Sequence, residues 1–336
     1  MEPVTTTSYI VLGIALFMLL NSAAIAVYAE RRVAAFIQNR LGPNRVGPYG
    51  LFQPLADVLK LLMKEDVTPR KGFRTIHAIA PVIPVATALM TVAVIPFGDG
   101  LFATDINSGV LYILAINSLG VYGVTLGGWA SNSKYSLLGG LRAAAQMVSY
   151  ELPLGMAVAS CILFSGSLSM VDVVDSQEYW WNILRNPIGA IIFIVAAFAE
   201  ANRAPFDLPE AEHELVGGYH TEYSSMKFGM FFLAEYMHVV IGSMLITTFF
   251  FGGYHLPFAG YWLPEMGPIA KAALDVSVFT LKTVFWAFVY IWVRWTLPRF
   301  KYNQLMKLGW KRMLPISIFN FLALAIIIYS WHHYFG

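Results

Sequence analysis

Three glutamates stand where apolar sequence would ordinarily exclude a charge: Glu151 in Ser149-Tyr150-Glu151-Leu152, Glu200 in Phe198-Ala199-Glu200-Ala201, and Glu235 in Leu233-Ala234-Glu235-Tyr236. A charge at bilayer depth costs at least ~2.5–3.5 kcal/mol on insertion scales, so such residues are seldom idle. A carboxyl group kept from water is biased toward its neutral form, which suits it to taking up and releasing protons. The competing reading is an ion pair, or a helix end near the headgroups. Arg203 follows Glu200 by three residues, so pairing and proton handling weigh equally there. Glu235, with His238 one turn later, sits deeper, and proton handling is favoured.

A second acidic group lies between Asn202 and Tyr223: Asp207, Glu210, Glu212, Glu214 and Glu222. Asp207 with Glu210 three residues on fits a capping box, and Pro209 fits the first turn of the helix it would open. Acidic residues also suit the positive end of a helix dipole. Capping does not explain Glu212, Glu214 and Glu222 as well. The run suggests a polar funnel or a docking face.

The elements that must hold these groups are membrane spans. Hydrophobic residues make up 57% of the 336 and charged residues 12%, about half the share of a soluble domain. Mean hydropathy is +0.61. Several apolar runs reach the ~20 residues a helix needs to cross the hydrocarbon. The predicted spans are roughly 9–28, 76–97, 110–130, 137–164, 188–201, 228–252, 272–297 and 313–333. The fifth is short, and the fourth contains Glu151 and Pro153. The fold class is all-α: one polytopic domain over 1–336, with about eight transmembrane helices and an amphipathic helix on the cytoplasmic side.

Of the 22 Lys and Arg, all but Arg185, Lys271 and Lys282 fall on alternate loops or their flanks. The positive-inside rule makes those loops cytoplasmic and puts both termini on the periplasmic side of a bacterial inner membrane. The absence of Lys or Arg before the first apolar run argues against a cleaved signal peptide.

Residues 31–75 form the first cytoplasmic segment, and 202–227 the acidic one. Leu41-Gly42-Pro43-Asn44-Arg45-Val46-Gly47-Pro48-Tyr49-Gly50 cannot be regular helix. Leu51, Leu55, Val58, Leu59 and Leu62 then recur at helical spacing, which predicts an amphipathic helix over 51–64. Irregular backbone beside a membrane must be covered by protein or line a cavity, and a cavity wall is favoured.

Several chemistries lack their motifs. There is no Gly-rich dinucleotide fingerprint, no phosphate-cradling loop and no Cys-x-x-Cys-His haem site, and the one cysteine, Cys161, cannot make a thiolate cluster. Redox energy would therefore arrive from a partner. Three classes remain: a secondary transporter, a channel, and the membrane subunit of an energy-converting enzyme.

The sequence resembles the NADH dehydrogenase subunit 1 family, the H-type membrane subunit of proton-pumping NADH:quinone oxidoreductase (respiratory complex I). The resemblance is carried by Glu30-Arg31, the run from Arg40 to Gly50, Gln53-Pro54-Leu55-Ala56-Asp57 and Lys60-Leu61, and by the run from Glu200-Ala201-Asn202-Arg203-Ala204-Pro205-Phe206-Asp207 to Glu235-Tyr236. It extends over essentially the whole chain, including Arg142, Gln146 and the turn from Arg294 to Lys301. It implies eight helices placed at the heel of the membrane arm. Arg31, Asp57, Arg203, Asp207, Glu210, Glu212, Glu214, Glu222, Arg294 and Arg299 would line a quinone chamber, and Glu151, Glu200 and Glu235 would lie on the proton path. The acidic path as a whole would lead from the quinone toward the pumping subunits.

The resemblance also implies no cofactor bound by this chain alone. Quinone would be the substrate, with NADH, FMN and iron–sulfur clusters in partner subunits. Those partners are the hydrophilic-arm quinone-site and iron–sulfur subunits, the small and antiporter-like membrane subunits, and the bilayer, with no nucleic acid. Rival readings are the equivalent subunit of a proton-pumping hydrogenase or a ferredoxin-, formate- or deazaflavin-linked complex, and a free-standing cation/proton antiporter.

Overall fold

Long apolar runs in lipid have one way to satisfy their backbone within a single segment, which is to become helices. The computed structural model describes residues 6–208, 216–258 and 267–335. The helices are α1 (Thr6–Ile37), α2 (Gln53–Leu62), α3 (Arg74–Ile79), α4 (Val82–Val92), α5 (Gly109–Ala130), α6 (Lys134–Ser165), α7 (Met170–Asp175), α8 (Asn182–Arg185), α9 (Pro187–Glu200), α10 (Ser225–Phe250), α11 (Pro268–Thr296), α12 (Tyr302–Lys307) and α13 (Leu314–Phe335). Helices α3 and α4 meet at Ala80-Pro81 and act as one span, and a π-type stretch, Leu308–Met313, joins α12 to α13. Seven of these units are long and apolar enough to cross a membrane. The eighth, α9, has only 14 residues, about 21 Å at 1.5 Å per residue and so short of the ~30 Å hydrocarbon.

The helices approach closely where glycine allows it, as expected where packing rather than water drives association. A Cβ on Gly128 would lie 2.5 Å from the Ser136 carbonyl, and one on Gly139 would lie 2.7 Å from the Tyr219 nitrogen. Gly128 therefore sets the α5–α6 crossing, and Gly139 seats the turn Gly218–His220 on α6. Cys161 is buried in this packing.

The Gly/Pro segment is irregular, as expected, with Gly47, Tyr49 and Gly50 all at positive φ. Gly50 must lack a side chain, since a Cβ there would meet the Pro43 carbonyl at 2.3 Å. Tyr28 ties the segment to α1 by donating to the Tyr49 carbonyl at 2.8 Å. Helix α2 forms within the predicted 51–64, but Leu51, Leu55, Leu59 and Leu62 are each at least half exposed. Its apolar face points away from the bundle.

On the side bearing the α4–α5 and α6–α9 connections, Lys282 ties off the end of α10. Its ammonium donates to the carbonyls of Phe251 (2.8 Å), Gly253 (2.9 Å) and His255 (2.6 Å) and lies over the Trp181 ring. A cation suits a helix C-terminus, where unpaired carbonyls gather. Lys282→Met is expected to lower stability by about 2 kcal/mol or more, since charge-assisted bonds are lost and their acceptors stranded. The check is the melting temperature of the purified complex. Nearby, His255 lies 3.2 Å from Asp175 and Tyr254 donates to the same carboxylate, and these bonds hold Asp175 below the ordinary carboxylate range.

Candidate functional site

Because α9 stops early, the chain from Ala201 to Leu208 runs without helix while still buried. Backbone in that position needs partners from the protein. Gln146 of α6 supplies them: its amide donates to the carbonyls of Ala199 (2.8 Å) and Phe206 (2.6 Å) and to the Asn202 side chain. From the far side of the sequence, the Phe300 N–H donates to the Pro205 carbonyl. The loop is thereby fixed at the foot of α9, with Arg203 at its centre.

Arg203 is 4% exposed and holds two carboxylates, Glu30 of α1 at 2.9 Å and Glu235 of α10. Glu30 is shared with Arg294 of α11. The guanidinium also lies 4.0 Å from the centre of the Tyr236 ring. Four charges from α1, α10, α11 and the loop thus form one alternating network, Glu235–Arg203–Glu30–Arg294, with zero net charge. Desolvation would make any of them prohibitive alone, and mutual pairing makes them tolerable together.

Glu30 was not among the predicted site residues. A signal for it exists in the sequence: Glu30 stands at helical spacing with Ala15, Leu19, Ala23 and Ala34, the face of α1 that the structure buries. The even choice left at Glu200 turns away from the pair with Arg203. Arg203 pairs with Glu30 and Glu235, because the helix ends at Glu200 and carries Arg203 off its surface. Glu235, expected as the freer carboxylate, is the one in an ion pair.

Glu200 lies instead on the inner side of the loop. It lines a small cavity with His238, Asn117 and Gly242 and is close enough to Glu151 for their charges to interact. Glu151 accepts a hydrogen bond from Ser118 of α5. A second cavity lies beside the Arg203 network, lined by Glu30, Arg203, Tyr236, Tyr290 and Arg294. Each has room for on the order of one water.

The remaining predicted residues sit nearer the rim. Arg299 pairs with Asp207, both partly buried, so the Asp207 carboxylate is bound to an arginine far along the chain. Arg31 pairs with Asp57 at 2.6 Å, which turns the polar face of α2 toward α1. Glu222 is half-buried just before Tyr223, whose ring stacks on His77 at 3.9 Å. Glu210, Glu212 and Glu214 lie outside the described residues. Among the described residues, no three His, Cys, Asp or Glu side chains converge as a metal site.

The arrangement can store and move charge. Two arginines hold two carboxylates in a network whose pairing changes if either carboxylate is protonated, and two further carboxylates stand close to one another on α9 and α6.

Comparison with known proteins gives a consistent result. The family model described as NADH dehydrogenase matches residues 10–325. The H-type subunit of the NADH-quinone oxidoreductase of Salinibacter ruber is 57% identical over 323 residues, covering 93% of this chain and 94% of that protein. Its counterpart from Rhodothermus marinus, numbered subunit 8 of NADH-quinone oxidoreductase, is also 57% identical, covering 92% and 95%. The H-type subunit of Leptospira biflexa is 48% identical over 334 residues, covering 94% and 93%.

Proposed function

Since the chain belongs to the NADH dehydrogenase family, in the branch formed by the H-type subunits of NADH-quinone oxidoreductase, we propose that it couples quinone reduction to proton translocation through the Arg203 network. It is a membrane subunit of an oxidoreductase complex and works with the other subunits of that assembly. NADH, FMN and iron–sulfur clusters belong to the partners, and quinone is the substrate this subunit helps to house. The quinone-linked names of the relatives favour this reading over a hydrogenase-type complex or a lone antiporter.

The observation that carries the proposal is the buried Glu235–Arg203–Glu30–Arg294 network at the foot of a helix too short to cross the hydrocarbon. Around it, Arg31–Asp57 and Arg299–Asp207 form a polar rim toward the basic side, which the positive-inside rule makes cytoplasmic. The rim and the exposed apolar face of α2 suit a chamber for a molecule with a polar head and a greasy tail. Half-buried Glu222 extends the acidic lining.

When the quinone head takes up electrons it demands protons. Arg203 and Arg294 hold the Glu30 and Glu235 carboxylates nearby, and a proton drawn in from water at the polar rim and caught at Glu235 or Glu30 releases an arginine to pair elsewhere. That re-pairing is the signal passed inward toward Glu200 and Glu151.

Glu235→Gln tests this. The glutamine keeps the shape and removes the charge, leaving Arg203 to Glu30. Protons pumped per NADH oxidised by the purified complex in proteoliposomes are expected to fall on the order of tenfold, equivalent to about 1.4 kcal/mol at the coupling step. Unchanged rate and stoichiometry would remove Glu235 from the path.

A further inference from the structure

Tyr290 of α11 is 3% exposed, with its ring stacked on Phe198 at 3.8 Å and 14°. Its hydroxyl has no hydrogen-bond partner among the described residues, a costly state for a buried O–H and therefore one that asks for a role. The residue lines the cavity shared by Glu30, Arg203 and Arg294. Its hydroxyl faces the other cavity, since a Cβ built on Gly242 would lie 2.7 Å from that oxygen, and Gly242 lines the cavity holding Glu200 and His238. Glu200 is close enough to act electrostatically on Tyr290.

We propose that the Tyr290 hydroxyl, seated between the two cavities, is the proton bridge from the Arg203 network to Glu200, and that residue 242 is glycine to leave it room. The inference rests on the coupling role proposed for the network. A hydroxyl is suited to this task because it donates and accepts at one atom. In the hop, a protonated water in the outer cavity gives its proton to the tyrosine oxygen as that oxygen gives its own, through the one water the inner cavity has room for, to the Glu200 carboxylate. One O–H bond forms and one breaks at the tyrosine, the donor ends as water, and Glu200 ends as the neutral acid. Tyr290 is unchanged, and the bridge resets when Glu200 passes its proton on.

Tyr290→Phe keeps the ring stack and deletes the hydroxyl alone. In the purified whole complex reconstituted in liposomes, with NADH and a short-chain quinone, pumping per NADH is expected to fall at least about tenfold. The solvent deuterium isotope effect on coupled turnover is expected to rise. Gly242→Ala is expected to give the same loss by displacing the hydroxyl. The double variant is expected to be no worse than Tyr290→Phe, because with the oxygen gone the new Cβ meets the ring at an ordinary 3.5 Å. A Tyr290→Phe complex with native stoichiometry and isotope effect would overturn the bridge, as would additive losses in the double variant. Glu235→Gln measured alongside separates the two ideas: if it is impaired while Tyr290→Phe is native, only the bridge fails, and if it too is native, the coupling role of the network fails.

Discussion

Replacing Arg203 with methionine is expected to abolish most NADH:quinone activity and to lower the yield of assembled complex sharply. The side chain is buried and holds Glu30 and Glu235 together. Methionine fills comparable volume but supplies no charge, so two carboxylates are left in an apolar interior with only Arg294 between them. Breaking a buried pair by removing one partner costs about 3–5 kcal/mol, because the remaining charge keeps its desolvation penalty and loses its compensation. That is a large share of the roughly 5–15 kcal/mol by which folded proteins are stable. The asymmetry offers a sharp control. Arg203→Met combined with Glu235→Gln removes one charge of each sign and leaves Glu30 with Arg294. Assembly, followed by native gel, is expected to recover in the double variant while proton pumping does not. Equal assembly in the single and double variants would mean that the network is not held by charge pairing.

Gly139→Val is expected to be nearly as damaging by a route that involves no charge. The first added carbon would meet the backbone of Gly218 and Tyr219 at 2.7–2.8 Å, and backbone cannot turn aside as a flexible side chain can. Overpacking of this kind costs about 1–3 kcal/mol or forces the intruding segment away. The segment here is the turn after the acidic run, so the displaced part carries Glu222 and the Tyr223 ring that stacks on His77. Loss of coupled quinone reduction is expected, with the spans retained, as read by helical circular dichroism and limited proteolysis of residues 202–227. Gly139→Ala is expected to show a smaller loss of the same kind. A fully active valine variant would show that the turn does not have to seat on α6.

The spans were legible because a bilayer imposes a length, and a run such as Tyr9–Tyr28 has few other uses. The shortness of α9 was legible too. Pairings were not. Glu30 meets residues 173 and 264 positions away, and no local rule reports such contacts. The nearest local rule pointed elsewhere: residues three apart face each other on a helix, which kept Glu200 with Arg203 open as a pair. That rule lapses where the helix ends, and it ends at Glu200. Gln146 shows the same limit, since its role depends on a loop that exists only because α9 stops. The outward turn of the α2 leucines is likewise a matter of which face meets α1, and Asp57 decides that through Arg31.

The 14 residues of α9 have an electrical consequence. A membrane voltage drops across whatever insulates, and about 21 Å of helix insulates less than a full-length span. Where the proposed chamber wets the foot of α9, the field is concentrated over that shorter distance, and each elementary charge moved through about 100 mV still accounts for about 2.3 kcal/mol. A proton arriving at Glu200 would then have come about 9 Å, roughly a third of the hydrocarbon, with little work done against the voltage. The work would be concentrated in the hops beyond it, so those deep steps are the ones a rising membrane potential should slow first.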